Sequence, residues 1–214
     1  PIGFGIFVEL SMYSGAAIIL APLGENVVSG HAVALNIASI VFMLPLAIGL
    51  AASTRVGNLL GEKRYIDARY SSKVSVYLCL IGALFNMTLL VTLGDKLISL
   101  YTTDLMVFSV ASHLIVFAAI FQIPDGIGMG SLGALRGYKD TFMTMVFIII
   151  AYWVFAIPFG YYLTYYGINQ PMGESGMWIS MIVGLTIFAT LISRRLNKIS
   201  GLHAVIRKEK VPQF

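Results

Sequence analysis

Charged residues are scarce in this chain, and their scarcity excludes an ordinary soluble domain. Only 11% of the 214 residues are charged, whereas 58% are hydrophobic, and the mean hydropathy is +0.86. The single cysteine, Cys79, excludes an internal disulfide. The sequence also lacks a nucleophile–base arrangement, a metal-spaced Cys/His cluster and a phosphate-cradling loop, so we expect neither an enzyme nor a bound cofactor. Apolar runs of this length are typical of an integral membrane protein.

The apolar segments predict six transmembrane helices, each near the roughly 20 residues that a bilayer requires. They cover about 2–23, 31–54, 74–93, 107–135, 141–165 and 176–192. We therefore predict an all-α membrane lobe over residues 1–193 and a basic tail over residues 194–214, which is loosely ordered from Asn197 to Phe214. The mixed segment 56–72 predicts a short helix along the membrane surface. Because the chain opens at Pro1 almost directly into an apolar helix, we expect it to belong to a longer protein.

Basic residues are concentrated in alternate loops. All lysines and arginines except Lys96 fall between spans two and three, between spans four and five, or after span six. Because basic residues are retained on the cytoplasmic side, we expect both chain ends to be cytoplasmic. Lipid head groups explain these residues more simply than nucleic acid does.

Asp125 lies deep within the fourth predicted span, in the apolar segment 117–130. Holding an acid there costs roughly 2.5–3.5 kcal/mol, so the segment predicts a proton or ion site facing a cavity. The alternative is a static salt bridge to a neighbouring helix. Pro124 removes one backbone hydrogen bond beside the acid. Small residues follow that allow a neighbouring backbone to come close, namely Gly126, Gly128, Gly130 and Gly133.

Glu9 is a second acid within a predicted span. It lies roughly 13 Å from the start of span one, and Asp125 lies roughly 16 Å from Arg136, so the two acids have similar depth. If both face one cavity, their repulsion and poor hydration would favour binding of a proton. A bound Na⁺ would instead keep both carboxylates ionised, as hard oxygen ligands. The alternative for Glu9 is direct wetting near the interface.

Aromatic, methionine and amide side chains flank the two acids along their helices. Such surroundings suit a lipophilic organic cation, because the rings offer cation–π attraction and the thioethers adapt to varied shapes. The alternative is ordinary packing. By helical spacing the candidates for a substrate cavity are Met12, Tyr13, Phe121, Gln122 and Met129.

Several stretches resemble the multidrug and toxic compound extrusion (MATE) transporters, in particular their NorM-like bacterial branch. These stretches are GHAVALNIASIVFMLPLAIGLAASTRVG at 30–57, LGE at 60–62, GALRGYKDT at 133–141 and GMWIS at 176–180. The resemblance extends to about Ser193. It implies the C-terminal six-helix half of a twelve-helix transporter with two lobes.

The resemblance implies a secondary active multidrug efflux antiporter in a bacterial inner membrane. Such a protein exports amphipathic organic cations in exchange for Na⁺ or H⁺, and an N-terminal six-helix lobe is its expected partner. The ion-coupling acids of the family would fall on Glu9 and Asp125. Phe121 stands where relatives often have tyrosine, so a hydroxyl ligand for Na⁺ is missing there. The alternatives are a flippase for lipid-linked oligosaccharides, with several arginines in its cavity, and a non-transporting membrane scaffold.

Overall fold

Six long helices make up most of the structure, a computed structural model that describes residues 2–210 and the side chains of residues 2–202. They are α1 (Ile2–Leu20), α2 (Glu25–Gly61), α3 (Tyr65–Ile98), α4 (Leu105–Gly137), α5 (Thr141–Tyr165) and α6 (Gly173–Lys210). A 3₁₀ turn at Ala21–Leu23 follows α1, and the described residues contain no strand. All six helices contain a stretch long and apolar enough to cross a membrane, which confirms the predicted all-α, six-span fold.

The connection between α2 and α3 differs from its prediction. Residues 56–72 do not form a separate surface helix, because both helices continue to a short turn at residues 62–64. Val56 and Leu59 are buried, so the apolar residues of this segment belong to the core-facing side of α2. Arg64 in the turn contacts the carboxylates of Glu62 at 3.2 Å and Asp67 at 2.8 Å. These contacts link the turn to the start of α3.

The last helix is longer than the sixth predicted span. It continues through the segment predicted to be a loosely ordered tail, up to Lys210, and this part of the prediction is wrong. Leu196 and Ser200 are buried, so the extension packs against the bundle. The Arg195 guanidinium bonds the Asp140 carboxylate at 2.6 Å and joins this extension to the turn before α5. Residues 211–214 of the predicted tail, and the side chains of its basic residues Arg207, Lys208 and Lys210, lie outside the described part of the chain.

Helix α4 occupies the centre of the bundle and packs against α2, α3 and α6. Its glycines make this close packing feasible, as the sequence predicts. A Cβ added at Gly126 would lie 2.9 Å from the carbonyl oxygen of Cys79 on α3. A Cβ at Gly133 would overlap the carbonyl oxygen of Gly49 on α2. Gly128 instead faces a side chain, that of Phe188 on α6, at 3.2 Å.

Helix α1 is attached mainly to α5. Residues Ile149–Ala156 of α5 are wound as a π-helix, which ends two residues before Pro158. The indole Nε1 of Trp153 in this segment donates to Ser11 Oγ at 3.1 Å, and the Tyr165 hydroxyl donates to the carbonyl of Ile19 at 2.7 Å. These contacts hold α1 beside α5 and leave a space between α1, α2 and α4.

Candidate functional site

A cavity of about 570 Å³ lies between α1, α2 and α4. Glu9 and Tyr13 on α1 and Phe121, Asp125 and Met129 on α4 form part of its wall. The structure thus brings five of the seven site residues predicted from the sequence to a single cavity. On both helices these residues are four positions apart, or about one helical turn, which places them on one face of the helix.

Neither carboxylate has a charged partner within ion-pair distance among the described residues, and neither makes a hydrogen bond there. Asp125 is only 7% exposed, whereas Glu9 is half-buried. An acid in such an environment is costly to keep unless it binds a proton or another cation. The arrangement can therefore hold a small cation, with carboxylate oxygens as its ligands.

Two predicted residues are not on the cavity wall. Met12 is fully buried in the hydrophobic core. The Gln122 side chain is also fully buried, and its amide accepts from Asn86 Nδ2 at 3.3 Å and donates to the Ala38 carbonyl at 3.4 Å. Both residues adjoin a cavity residue in sequence, but a step of one residue turns a side chain by about 100° around the helix axis. They pack the lobe and do not line this cavity.

Aromatic rings form one side of the cavity and continue into the core. The rings of Tyr13 and Phe121 have centroids 6.4 Å apart. Behind Phe121, Trp178 of α6 packs edge-on at 6.1 Å, and its indole donates to His31 Nδ1 at 3.1 Å. Trp178, which is buried and bonded to the buried His31, therefore supports the Phe121 ring from behind.

Part of the cavity wall, including one basic residue, was not predicted from the sequence. Arg136 lies in the last turn of α4 and lines the cavity, although the sequence places it in a cytoplasmic loop. Helix α2 contributes a stripe with spacings of three and four residues, a pattern that could have indicated a shared face. The α2 residues on the wall are Leu35, Ala38, Ser39, Phe42 and Leu46.

Fold and site together define one class of protein: a multi-pass membrane lobe of six helices with two acids on a cavity wall. The chain belongs to the MatE family, whose model matches residues 1–162. It is 42% identical over 198 residues to the multidrug resistance protein NorM of Vibrio vulnificus, covering 92% of this chain and 43% of the relative. It is 39% identical over 199 residues to the multidrug resistance protein PmpM of Pseudomonas aeruginosa, covering 92% of this chain and 42% of that relative.

Solved structures have the same fold at lower sequence identity. The eukaryotic MATE transporter AtDTX14 superposes with a TM-score of 0.82 at 21% identity, over 94% of this chain and 46% of the transporter. The Vibrio cholerae MATE transporter VcmN in its bent form gives a TM-score of 0.83 at 16% identity, over 94% of this chain and 45% of VcmN. The chain therefore spans less than half the length of these relatives and has the fold of one half of a MATE transporter.

Proposed function

We propose that the chain is the C-terminal lobe of a multidrug efflux antiporter that exports amphipathic organic cations in exchange for Na⁺ or H⁺. The observation that carries this proposal is the position of Glu9 and Asp125 on one cavity wall without a charged partner in direct contact. Membership of the MatE family, and relatives named as multidrug resistance proteins, support efflux as the activity.

In this mechanism the coupling ion and the substrate compete for the same two carboxylates. A proton or Na⁺ entering from outside neutralises negative charge in the cavity and lowers its affinity for a cationic substrate. Binding of the coupling ion also favours one arrangement of the lobes over another. The free energy of this preference equals the difference in the free energy of cation binding between the two arrangements. Transport then follows from alternate exposure of Glu9 and Asp125 to the two sides of the membrane.

The aromatic side of the cavity is proposed to receive the apolar part of the substrate. Tyr13 and Phe121 offer ring faces next to the acids, and Met129 offers a flexible thioether. A cation with an aromatic body gains cation–π attraction there, and the deformable thioether accommodates different shapes.

The distribution of basic residues supports a location in the bacterial inner membrane with both chain ends cytoplasmic. The turns at residues 62–64 and 138–140 then lie on the cytoplasmic side, and the N-terminal six-helix lobe of the same transporter completes the substrate pathway. The lobe's wide apolar surface, which includes Phe7, Phe85 and Ile81, is available for lipid and for that second lobe.

The two alternative functions are less well supported by the site. A flippase for lipid-linked oligosaccharides is expected to hold several arginines in its cavity, whereas Arg136 is the one arginine among the described residues on this wall. A non-transporting scaffold would have its acids in static salt bridges. Neither Glu9 nor Asp125 is in an ion pair within the described part of the chain.

The test is efflux by the complete transporter in proteoliposomes under separate Na⁺ and proton gradients. A fluorescent organic cation is loaded inside, and one gradient is applied at a time with the other ion held equal on both sides. We expect at least one gradient to drive efflux and its collapse by an ionophore to stop it. Efflux that ignores both gradients would exclude antiport.

Replacing Phe121 by leucine is expected to weaken binding of an aromatic monocation by roughly two- to fivefold, because a cation–π contact is worth about 0.5–1 kcal/mol. The dissociation constant is measured by fluorescence titration of the purified transporter. Phe85→Leu is the matched control, since Phe85 is 60% exposed on α3 and does not line the cavity. Equal affinities in both variants would remove Phe121 from the substrate site.

A further inference from the structure

Arg136 is a fixed positive charge in the acid cavity. It lies eleven residues after Asp125, roughly 16 Å along α4, and both side chains line the same wall. Its side chain is half-buried and forms neither a hydrogen bond nor an ion pair among the described residues. Arg136, Glu9 and Asp125 therefore line one cavity without a hydrogen bond or an ion pair among the described residues.

None of the other basic residues with a described side chain lines this cavity. Arg195 is paired with Asp140, and Arg64 is paired with Glu62 and Asp67. Arg55 and Arg64 line a separate groove between α2 and α3. An interfacial arginine normally extends towards lipid phosphates and water. Arg136 instead faces the cavity that holds the acids, and this placement requires an electrostatic explanation.

The formal charges of the side chains on the cavity wall can be summed. Glu9 and Asp125 carry two negative charges when ionised, and Arg136 retains one positive charge because a guanidinium does not lose its proton in proteins. Among the described residues, the wall contributed by α2 is uncharged, and the remaining titratable group on the cavity wall is the hydroxyl of Tyr13. With both acids ionised, the described residues on the cavity wall therefore carry a net charge of one negative, which a single monovalent cation neutralises.

The geometry points to Arg136 as a built-in counter-charge that limits the cavity to one positive charge and so selects monocationic over dicationic substrates. This inference rests on the proposed function, since it concerns how the same site chooses its cargo. One monocationic substrate, one proton or one Na⁺ is enough to neutralise the net negative charge of the cavity wall, so these ions exchange in a one-to-one ratio. A dication brings an excess charge and is repelled by Arg136.

The test compares ethidium and propidium, which share an aromatic body but carry one and two positive charges. Dissociation constants are measured by fluorescence with the complete purified transporter, in sodium-free, mildly alkaline buffer. We expect wild type to favour ethidium and Arg136→Gln to shift the affinity ratio about tenfold towards propidium. Arg136→Lys should keep the wild-type ratio. Arg55→Gln, which removes an arginine outside the acid cavity, should also keep it.

The outcomes separate this inference from the proposed function. Loss of ethidium binding in Glu9→Gln and Asp125→Asn, with an unchanged ratio in Arg136→Gln, would overturn the counter-charge role and leave the cation site in place. Unchanged ethidium binding in both acid variants would overturn the cation site itself. Because the readout is a ratio of two affinities in one preparation, a partial loss of folded Arg136→Gln protein does not alter it.

Discussion

Asp125→Asn is expected to abolish ion-driven efflux by the complete transporter while the protein still folds and inserts. Asparagine has nearly the same size as aspartate but cannot carry the negative charge that attracts a cation, so the difference in cation affinity that drives the cycle disappears. Asp125 is buried without a hydrogen bond or an ion pair among the described residues, and its neutralisation breaks no such contact. Removing an uncompensated buried charge should even stabilise the lobe slightly.

Asp104→Asn provides the matched control for this experiment. Asp104 precedes the same helix and caps its first turn by accepting from the backbone amides of Met106 and Val107. Asparagine is an equally good cap, so we expect normal efflux after the identical chemical change. The measurement is dye efflux under the ion gradient, normalised to the transporter recovered in the liposomes. Normal coupled efflux in Asp125→Asn would show that the coupling ion binds elsewhere.

Gly133→Ala is expected to cause the largest loss of stability among single-methyl additions to glycines within the described helices. A Cβ at this position would overlap the carbonyl oxygen of Gly49 and lie 2.8 Å from its Cα, so two helix backbones would have to separate. Overpacking a well-packed core costs typically 1–3 kcal/mol, and here the obstacle is backbone that cannot change rotamer. We expect a lower thermal midpoint of the purified transporter in detergent, together with weaker substrate binding, because α2 and α4 both line the cavity.

Gly61→Ala is the control for this methyl group. Gly61 ends α2, and no atom outside its own helix turn lies within 4 Å of an added Cβ. Alanine stabilises a helix relative to glycine by roughly 1 kcal/mol at interior positions, so the thermal midpoint of the Gly61→Ala transporter should stay the same or rise. If Gly133→Ala and Gly61→Ala had equal midpoints, close contact of α2 and α4 at Gly133 would not be required for stability.

Most of the fold could be predicted from the sequence because the membrane allows few solutions. Every backbone polar group must be satisfied within its own segment in a bilayer, so a long apolar run has to be a helix. The helix ends were harder to predict. Polar residues at the ends of α2, α3 and α6 mark where the membrane interface lies, but the helices continue beyond it, as Arg195 illustrates by pairing with Asp140.

The acids of the site could also be predicted, whereas its full wall could not. Glu9 and Asp125 stand out because burial in an apolar segment is costly for a carboxylate at any orientation. Gln122 and Phe121 both lie about one helical turn before Asp125, and both were predicted to line the cavity. In the structure Gln122 is turned towards Asn86, whereas Phe121 lies on the cavity wall. Which of two adjacent residues faces the cavity depends on how the neighbouring helices are placed around α4, and this placement is a property of the packed bundle.

The sequence by itself determined that this protein crosses a membrane with six helices and that two carboxylates lie within them, since hydrophobicity and charge are properties of each segment alone. Only the tertiary structure decided that α1, α2 and α4 enclose one cavity, that Met12 and Gln122 lie off its wall and that Arg136 lies on it. The physical reason is that a cavity is bounded by several helices at once, and the rotation of each helix follows from where its small residues let a neighbour come close, as Gly133 does for Gly49.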